Sequence, residues 1–171
     1  MKALHTVSMV CAMLWLTGVN RPQDADKRDT PSPVVTNPLV GDWEATTDHG
    51  KERMSYELIA GGSSLIERDM ADNRPTMLTV YNVDGSRLIL THFCMAGNQP
   101  RMQARSYDPA TGELDFRFMD ATNLASPNAG HMHNAKFRFV DNDHLSVEWQ
   151  YFENGKPKFT EAQQYTRVTS K

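Results

Sequence analysis

The stretch His144-Leu145-Ser146-Val147-Glu148-Trp149-Gln150-Tyr151-Phe152-Glu153-Asn154-Gly155 decides the fold. Leu145, Val147, Trp149 and Tyr151 alternate with His144, Ser146, Glu148 and Gln150. Side chains along a strand point in turn to its two faces, so this segment has one apolar and one polar face. Asn154-Gly155 then supplies a two-residue hairpin turn, because both central positions of a type I′ turn need positive φ.

Working outward, the same alternation recurs. Phe137 and Phe139 alternate with Lys136 and Arg138, and Leu114, Phe116 and Phe118 alternate with Asp115 and Arg117. Asp84-Gly85 is a second two-residue turn signal, and Gly61-Gly62, Asn142-Asp143 and the segment 108–112 are further turns. The spacing predicts strands near 41–47, 52–60, 63–70, 76–83, 86–95, 101–107, 113–119, 132–140, 144–152 and 158–168. No segment after residue 38 keeps a helical period. Ten strands joined mainly by short turns form a meander, and closure removes its exposed edges. The expectation is an all-β chain: a single antiparallel up-and-down β-barrel of about ten strands over 39–168. Barrels of more than about eight strands tend to keep an internal cavity.

The 171 residues fit one such domain with an N-terminal extension. Lys2 opens the chain, Ala3 to Val19 are largely apolar, and the sequence turns polar at Asn20-Arg21-Pro22. That layout predicts a signal peptide over 1–20, hence a periplasmic or secreted protein without stable membrane insertion after cleavage. Residues 21–38 hold Pro22, Pro31, Pro33 and Pro38 among many charges and read as a disordered linker. Cys11 lies in the leader, which leaves Cys94 as the one thiol of the mature chain and no internal disulfide. Formal charge is −3, with 18 basic and 21 acidic residues scattered along the chain. No basic run or nucleic-acid-binding signature is present, so a nucleic-acid partner is not expected.

Gly41-Asp42-Trp43 at the start of the first strand, with Arg167 near the end of the last, resembles the calycin pattern of lipocalins and related barrels. That resemblance implies that Trp43 packs at the closed end of the barrel and that Arg167 crosses over it, with Gly41 as the third matching position. The stretches 90–102, 120–124 and Gly130-His131-Met132-His133 are similar to those of uncharacterised bacterial lipocalin-like secreted proteins. This second resemblance covers nearly all of 39–168. It implies the barrel and a secretory leader, and no established activity. In shape the chain is more distantly similar to nitrobindin and to fatty-acid-binding barrels. Glu44-Ala45-Thr46 stands where nitrobindin has a glycine-rich continuation, which speaks against haem.

His131 and His133 share a strand face with Ala135, Phe137 and Phe139, so a regular strand would turn both imidazoles into the barrel. His92 and Cys94 share a face with Leu88 and Leu90. Both pairs border loops, the longer running from about 120 to 130, and long loops over a barrel mouth gather binding residues. If His92, Cys94, His131 and His133 converged they would suit zinc or copper. An imidazole at the mouth could instead act as a general base, or bond the polar group of an apolar ligand. It could also simply hold the long loop through backbone hydrogen bonds. Arg101 and Arg105 are candidates for an anionic ligand head, though solvent is the plainer expectation for both. Glu67 and Asp69 share a face with Leu65, yet are expected on an exposed edge. Met54, Met77, Met95, Met102, Met119 and Met132 offer core filling or an adaptable lining. His49 is expected in solvent.

No nucleophile elbow, P-loop, dinucleotide fingerprint or His-Glu-x-x-His is present, so an enzyme is the less favoured expectation. The leading expectation is an exported protein binding a small, mostly apolar molecule, without a cofactor. Trp149, Tyr151, Phe116, Phe137 and Phe139 would line the site. His92, His131 and His133, with Arg101 at the mouth, would meet a polar group. The alternatives are a metal-binding protein or enzyme using the same histidines, and an envelope protein, structural or stress-related, with no small ligand.

Overall fold

A computed structural model describes residues 37–47, 50–72 and 74–169. The expected signal peptide, nearly all of the expected linker, and His49 lie outside the described residues. Ten antiparallel strands follow one another around a closed barrel. They are β1 (Gly41–Thr47), β2 (Gly50–Ile59), β3 (Ser64–Ala71), β4 (Arg74–Asp84) and β5 (Arg87–Phe93), then β6 (Gln99–Asp108), β7 (Glu113–Thr122), β8 (His131–Phe139), β9 (His144–Glu153) and β10 (Lys156–Arg167). Every predicted strand is present, with ends shifted by a few residues at most. No helix among the described residues is long and apolar enough to cross a membrane.

The hairpin that decides the fold forms as expected. Asn154 and Gly155 both take positive φ, at 55° and 71°, so the β9–β10 turn has the backbone a type I′ hairpin requires. At the β4–β5 hairpin only Gly85 does so, at 65°. There the strand runs through Asp84, and Gly85 is the first of the two central residues, the type II′ pattern. The sheet closes where Trp43 on β1 pairs with Arg167 on β10.

The two ends of the barrel differ. At one end Trp43 is 1 % exposed and donates from Nε1 to the Leu39 carbonyl at 2.7 Å. The Arg167 guanidinium lies 4.1 Å from the Trp43 ring centroid. It donates to the carbonyls of Val40 (2.7 Å), Pro38 (2.5 Å) and Asn142 (2.9 Å). A planar cation with five donors ties three segments together over an aromatic face, which a lysine cannot do. Gly41 has φ +122°, and a Cβ there would sit 3.1 Å from an Arg167 nitrogen. Gly41, Trp43 and Arg167 therefore form the closure that the sequence pattern implies. Above it Tyr81 packs edge-on against Phe116 and Phe137, with Leu90, Met102 and Leu145 fully buried around them. This half of the barrel is filled by side chains, apart from a cleft of about 200 Å³ bordered by Leu65, Tyr81 and Leu88.

At the opposite end the strands part. The β7–β8 ladder stops at Arg117↔Asn134, although β7 stays paired with β6 as far as Thr122 and β8 with β9 back to His131. The β5–β6 ladder has three residue pairs, Ile89↔Gln103 to Thr91↔Arg101. The loop between β7 and β8 fills the gap and is pinned in place. Asn98 donates to the Gly130 carbonyl at 2.9 Å, Asn123 to the Gly97 carbonyl at 2.5 Å, and the Asn154 amide to the Asn128 carbonyl at 2.9 Å. A Cβ at Gly130 would lie 2.0 Å from the Tyr151 hydroxyl, so the loop approaches β9 as closely as glycine permits.

Candidate ligand-binding site

A cavity of about 430 Å³ occupies the open half of the barrel. Met54, Met77, Met132, Val147 and Trp149 supply its apolar wall. Glu52, Asp69, Glu161 and Tyr165 supply a polar one. His92 lies where the cavity meets the packed core, 2 % exposed, with its ring centroid 4.8 Å from that of Trp149. The alternation Leu88-Leu90-His92 brings it inward, as the sequence predicts.

Behind His92 runs a buried polar chain. His92 Nδ1 is 3.0 Å from Thr79 Oγ1, its direct cross-strand partner on β4. The Thr79 hydroxyl is 3.2 Å from Glu67 Oε1, and the Tyr81 hydroxyl donates to Glu67 Oε2 at 2.5 Å. Glu67 is 1 % exposed. Its expected place on an exposed edge is thus corrected: parity with Leu65 carries it into the barrel, where hydroxyl groups replace the water it loses. Burial raises its pKa against the opposing effect of those hydrogen bonds. Burial also pushes His92 down to about 4, so its imidazole is neutral at physiological pH. Its Nε2 has no partner. Asp69 stands in the cavity wall, not on an exposed edge. Burial and the nearby charges of Glu67, Glu52 and Glu161 raise it to about 8.

The four donors proposed from sequence do not come together. The β8–β9 register shifts between Met132 and Asn134, leaving His133 as the extra residue. Met132, not the histidines, then faces the cavity. His131 and His133 line a separate lateral cleft of about 530 Å³ between β7, the loop and β9. There His133 lies between Phe118 and Phe152, at centroid distances of 4.5 and 3.9 Å and nearly parallel to both. A carbonyl only accepts, so His131 donates from Nδ1 to Ala129 O at 2.8 Å, and its Nε2 sits 3.0 Å from His133 Nδ1. This pair holds the loop, one of the roles the sequence left open. Cys94 falls beyond the end of β5, half-buried, with its sulfur 3.5 Å from the Ala96 amide nitrogen. Among the described residues no three His, Cys, Asp or Glu side chains form a metal-holding group.

Three further sequence candidates also lie elsewhere. Arg101 is exposed and makes a two-pronged ion pair with Asp120, at 2.6 and 2.5 Å, on the outer surface. Phe137 is packed in the filled half, edge-on to Trp149 at 6.2 Å. Tyr151 stacks on Phe159 at 4.7 Å, under Gly130. Trp149 is the aromatic that lines the cavity as expected. Of the methionines, Met54, Met77, Met95 and Met132 line it, together with Met70. Met102 belongs to the core and Met119 to the lateral cleft. Glu52, Glu161, Thr79 and Tyr165 were not singled out from sequence, although each sits at a strand position whose parity points inward. No family model matches the chain, and a search of curated proteins finds no match.

Proposed function

We propose that this chain binds a small molecule inside the open half of the barrel, with the apolar body of the ligand against Trp149 and Met132 and a polar group bonded to His92 Nε2. The observation that carries this reading is His92. His92, 2 % exposed, borders a cavity of about 430 Å³ that falls in the usual size range of small-molecule sites, and its buried Nε2 has no partner. A buried polar atom without a partner costs about 1–3 kcal/mol, which a ligand able to bond it would recover. The apolar run from Ala3 to Val19 extends the proposal to an exported carrier or receptor in the periplasm or outside the cell. The methionines favour a binder of adaptable shape, since thioether side chains repack at little cost.

A thermal-shift screen tests the reading, using small apolar compounds that carry one polar group. A ligand binding only the folded state raises the unfolding temperature. Stabilising compounds are expected with the wild type, with the shift reduced in His92→Leu and in Trp149→Ala. If no compound stabilises the wild type, or the shifts survive both substitutions, the reading fails.

A further inference from the structure

The cavity wall interleaves carboxylates with apolar side chains: Met77 is the cross-strand partner of Asp69, and Trp149 that of Glu161. Glu52 on β2, Asp69 on β3 and Glu161 on β10 come from strands clustered around β1. Met132 on β8 and His92 on β5 stand across the barrel from them, with Trp149 on β9 between. Among the described residues, none of the three carboxylates forms an ion pair with a lysine or arginine. Arg53, the one lysine or arginine bordering the cavity among the described residues, is turned to the outer surface, where its Nε donates to Glu44 at 3.1 Å. The polar contacts made to Glu52 are hydroxyl groups: Thr47 at 3.3 Å and Tyr165 at 3.5 Å. Beneath this wall lies a fourth carboxylate, Glu67.

Ordinary folding economy disfavours such an arrangement. Glu52 and Asp69 are half-buried and Glu161 is exposed, and carboxylates that give up part of their water are normally paired, because desolvation penalises the charge and like neighbours repel. Asp69 already responds to that crowding by keeping its proton to about pH 8. The missing component is positive charge, and the unpartnered His92 nitrogen across the cavity marks the same space as incomplete.

From this mixed wall of unneutralised carboxylates and apolar groups we infer that the ligand is an organic cation: a protonated amine set against Glu52, Asp69 and Glu161, carrying an apolar body that lies over Trp149 and Met132. This deepens the small-molecule reading and rests on it. An ammonium group forms a strong charge-assisted hydrogen bond with a carboxylate, and the electron-rich face of Trp149 favours a neighbouring cation. A free metal ion would leave the apolar groups uncovered, and the carboxylates are not gathered closely enough with other donors to form a metal-holding group.

Calorimetric titration of the full chain with hexylammonium, 1-hexanol and hexanoate tests this. The three probes share a hydrocarbon body and differ in charge. Hexylammonium is expected to bind at least tenfold more tightly than 1-hexanol, and hexanoate more weakly than either. Asp69→Asn and Glu161→Gln, checked for a retained cooperative unfolding transition, are expected to shrink the amine preference severalfold while leaving 1-hexanol binding in place. Equal or tighter binding of 1-hexanol or hexanoate overturns the cation inference and leaves the small-molecule reading standing. An amine preference undiminished in both variants also overturns it, because the carboxylates would not be its source. Binding of none of the three probes overturns the inference, and with an empty thermal-shift screen the small-molecule reading falls as well.

Discussion

Thr79→Val is the substitution that most directly interrogates the buried polar chain. Valine has nearly the shape of threonine, so the change opens no cavity and isolates the hydroxyl. That hydroxyl bridges Glu67 Oε1 at 3.2 Å and His92 Nδ1 at 3.0 Å, and the residue is fully buried. Removing it leaves two buried groups each short of a partner, at about 1–3 kcal/mol apiece. Burying a methyl in place of a hydroxyl returns about 1 kcal/mol. Glu67 keeps Tyr81 as a donor, so its share lies at the low end. The net cost expected is about 1–3 kcal/mol, read as a lower urea midpoint at unchanged slope. His92→Leu in the same background removes one of the two orphaned groups. The double variant is therefore expected to be more stable than the sum of the single effects predicts, by about 1 kcal/mol or more. A Thr79→Val cost below about 0.5 kcal/mol, or strictly additive effects, would refute the chain as a coupled unit.

Other expectations follow from the closure, the turns and the titrating groups. Arg167→Lys keeps the charge but loses the fork that bonds three carbonyls, and is expected to cost about 2 kcal/mol by chemical denaturation with little effect on ligand binding. Gly112→Ala places a Cβ 2.4 Å from the Phe139 carbonyl oxygen at φ +70°, so thermal unfolding should fall by several degrees. For pH, burial and neighbouring carboxylates raise Asp69 to about 8 from the ordinary 3.8, so the folded state holds a proton that the unfolded state gives up, and stability falls as pH rises between those values. His92, depressed to about 4 from 6.5, acts in the opposite sense, with stability lost as pH falls from 6.5 towards 4. The two slopes offset below pH 6.5. Denaturation should therefore show declining stability from pH 6.5 to 8, by at most about 1.4 kcal/mol per pH unit from this group, and Asp69→Asn should flatten that decline.

The barrel was legible because its signals are local and repeated. The alternation at 144–151 and the turn at Asn154-Gly155 needed no knowledge of distant partners. Trp43 and Arg167 were readable as a closure pair only through the resemblance of Gly41, Trp43 and Arg167 to the calycin pattern. The site was harder, for two physical reasons. A bulge adds one residue without a sequence signature, and the one at His133 reversed the parity on which an inward His131–His133 pair depended. Charge also outweighed parity at Glu67. Its alternation with Leu65 pointed inward, but a carboxylate is seldom buried without partners, and those partners, Thr79 and Tyr81, lie twelve and fourteen residues away on the next strand. His92 was found because it continues the pattern of Leu88 and Leu90 without interruption.

The bridge from Glu67 through Thr79 to His92 carries more than strength. A hydroxyl between an acid and an imidazole passes along a direction. With Glu67 ionised, Thr79 gives its hydrogen to the carboxylate and takes one from Nδ1, so Nε2 presents a bare lone pair. With Glu67 protonated on Oε1, every bond reverses, Thr79 gives its hydrogen to Nδ1, and Nε2 carries one of its own. No heavy atom moves. A single proton on an acid sealed inside the barrel thus decides whether the site's imidazole gives or takes a hydrogen bond, and the same wall can present either polarity to what enters it.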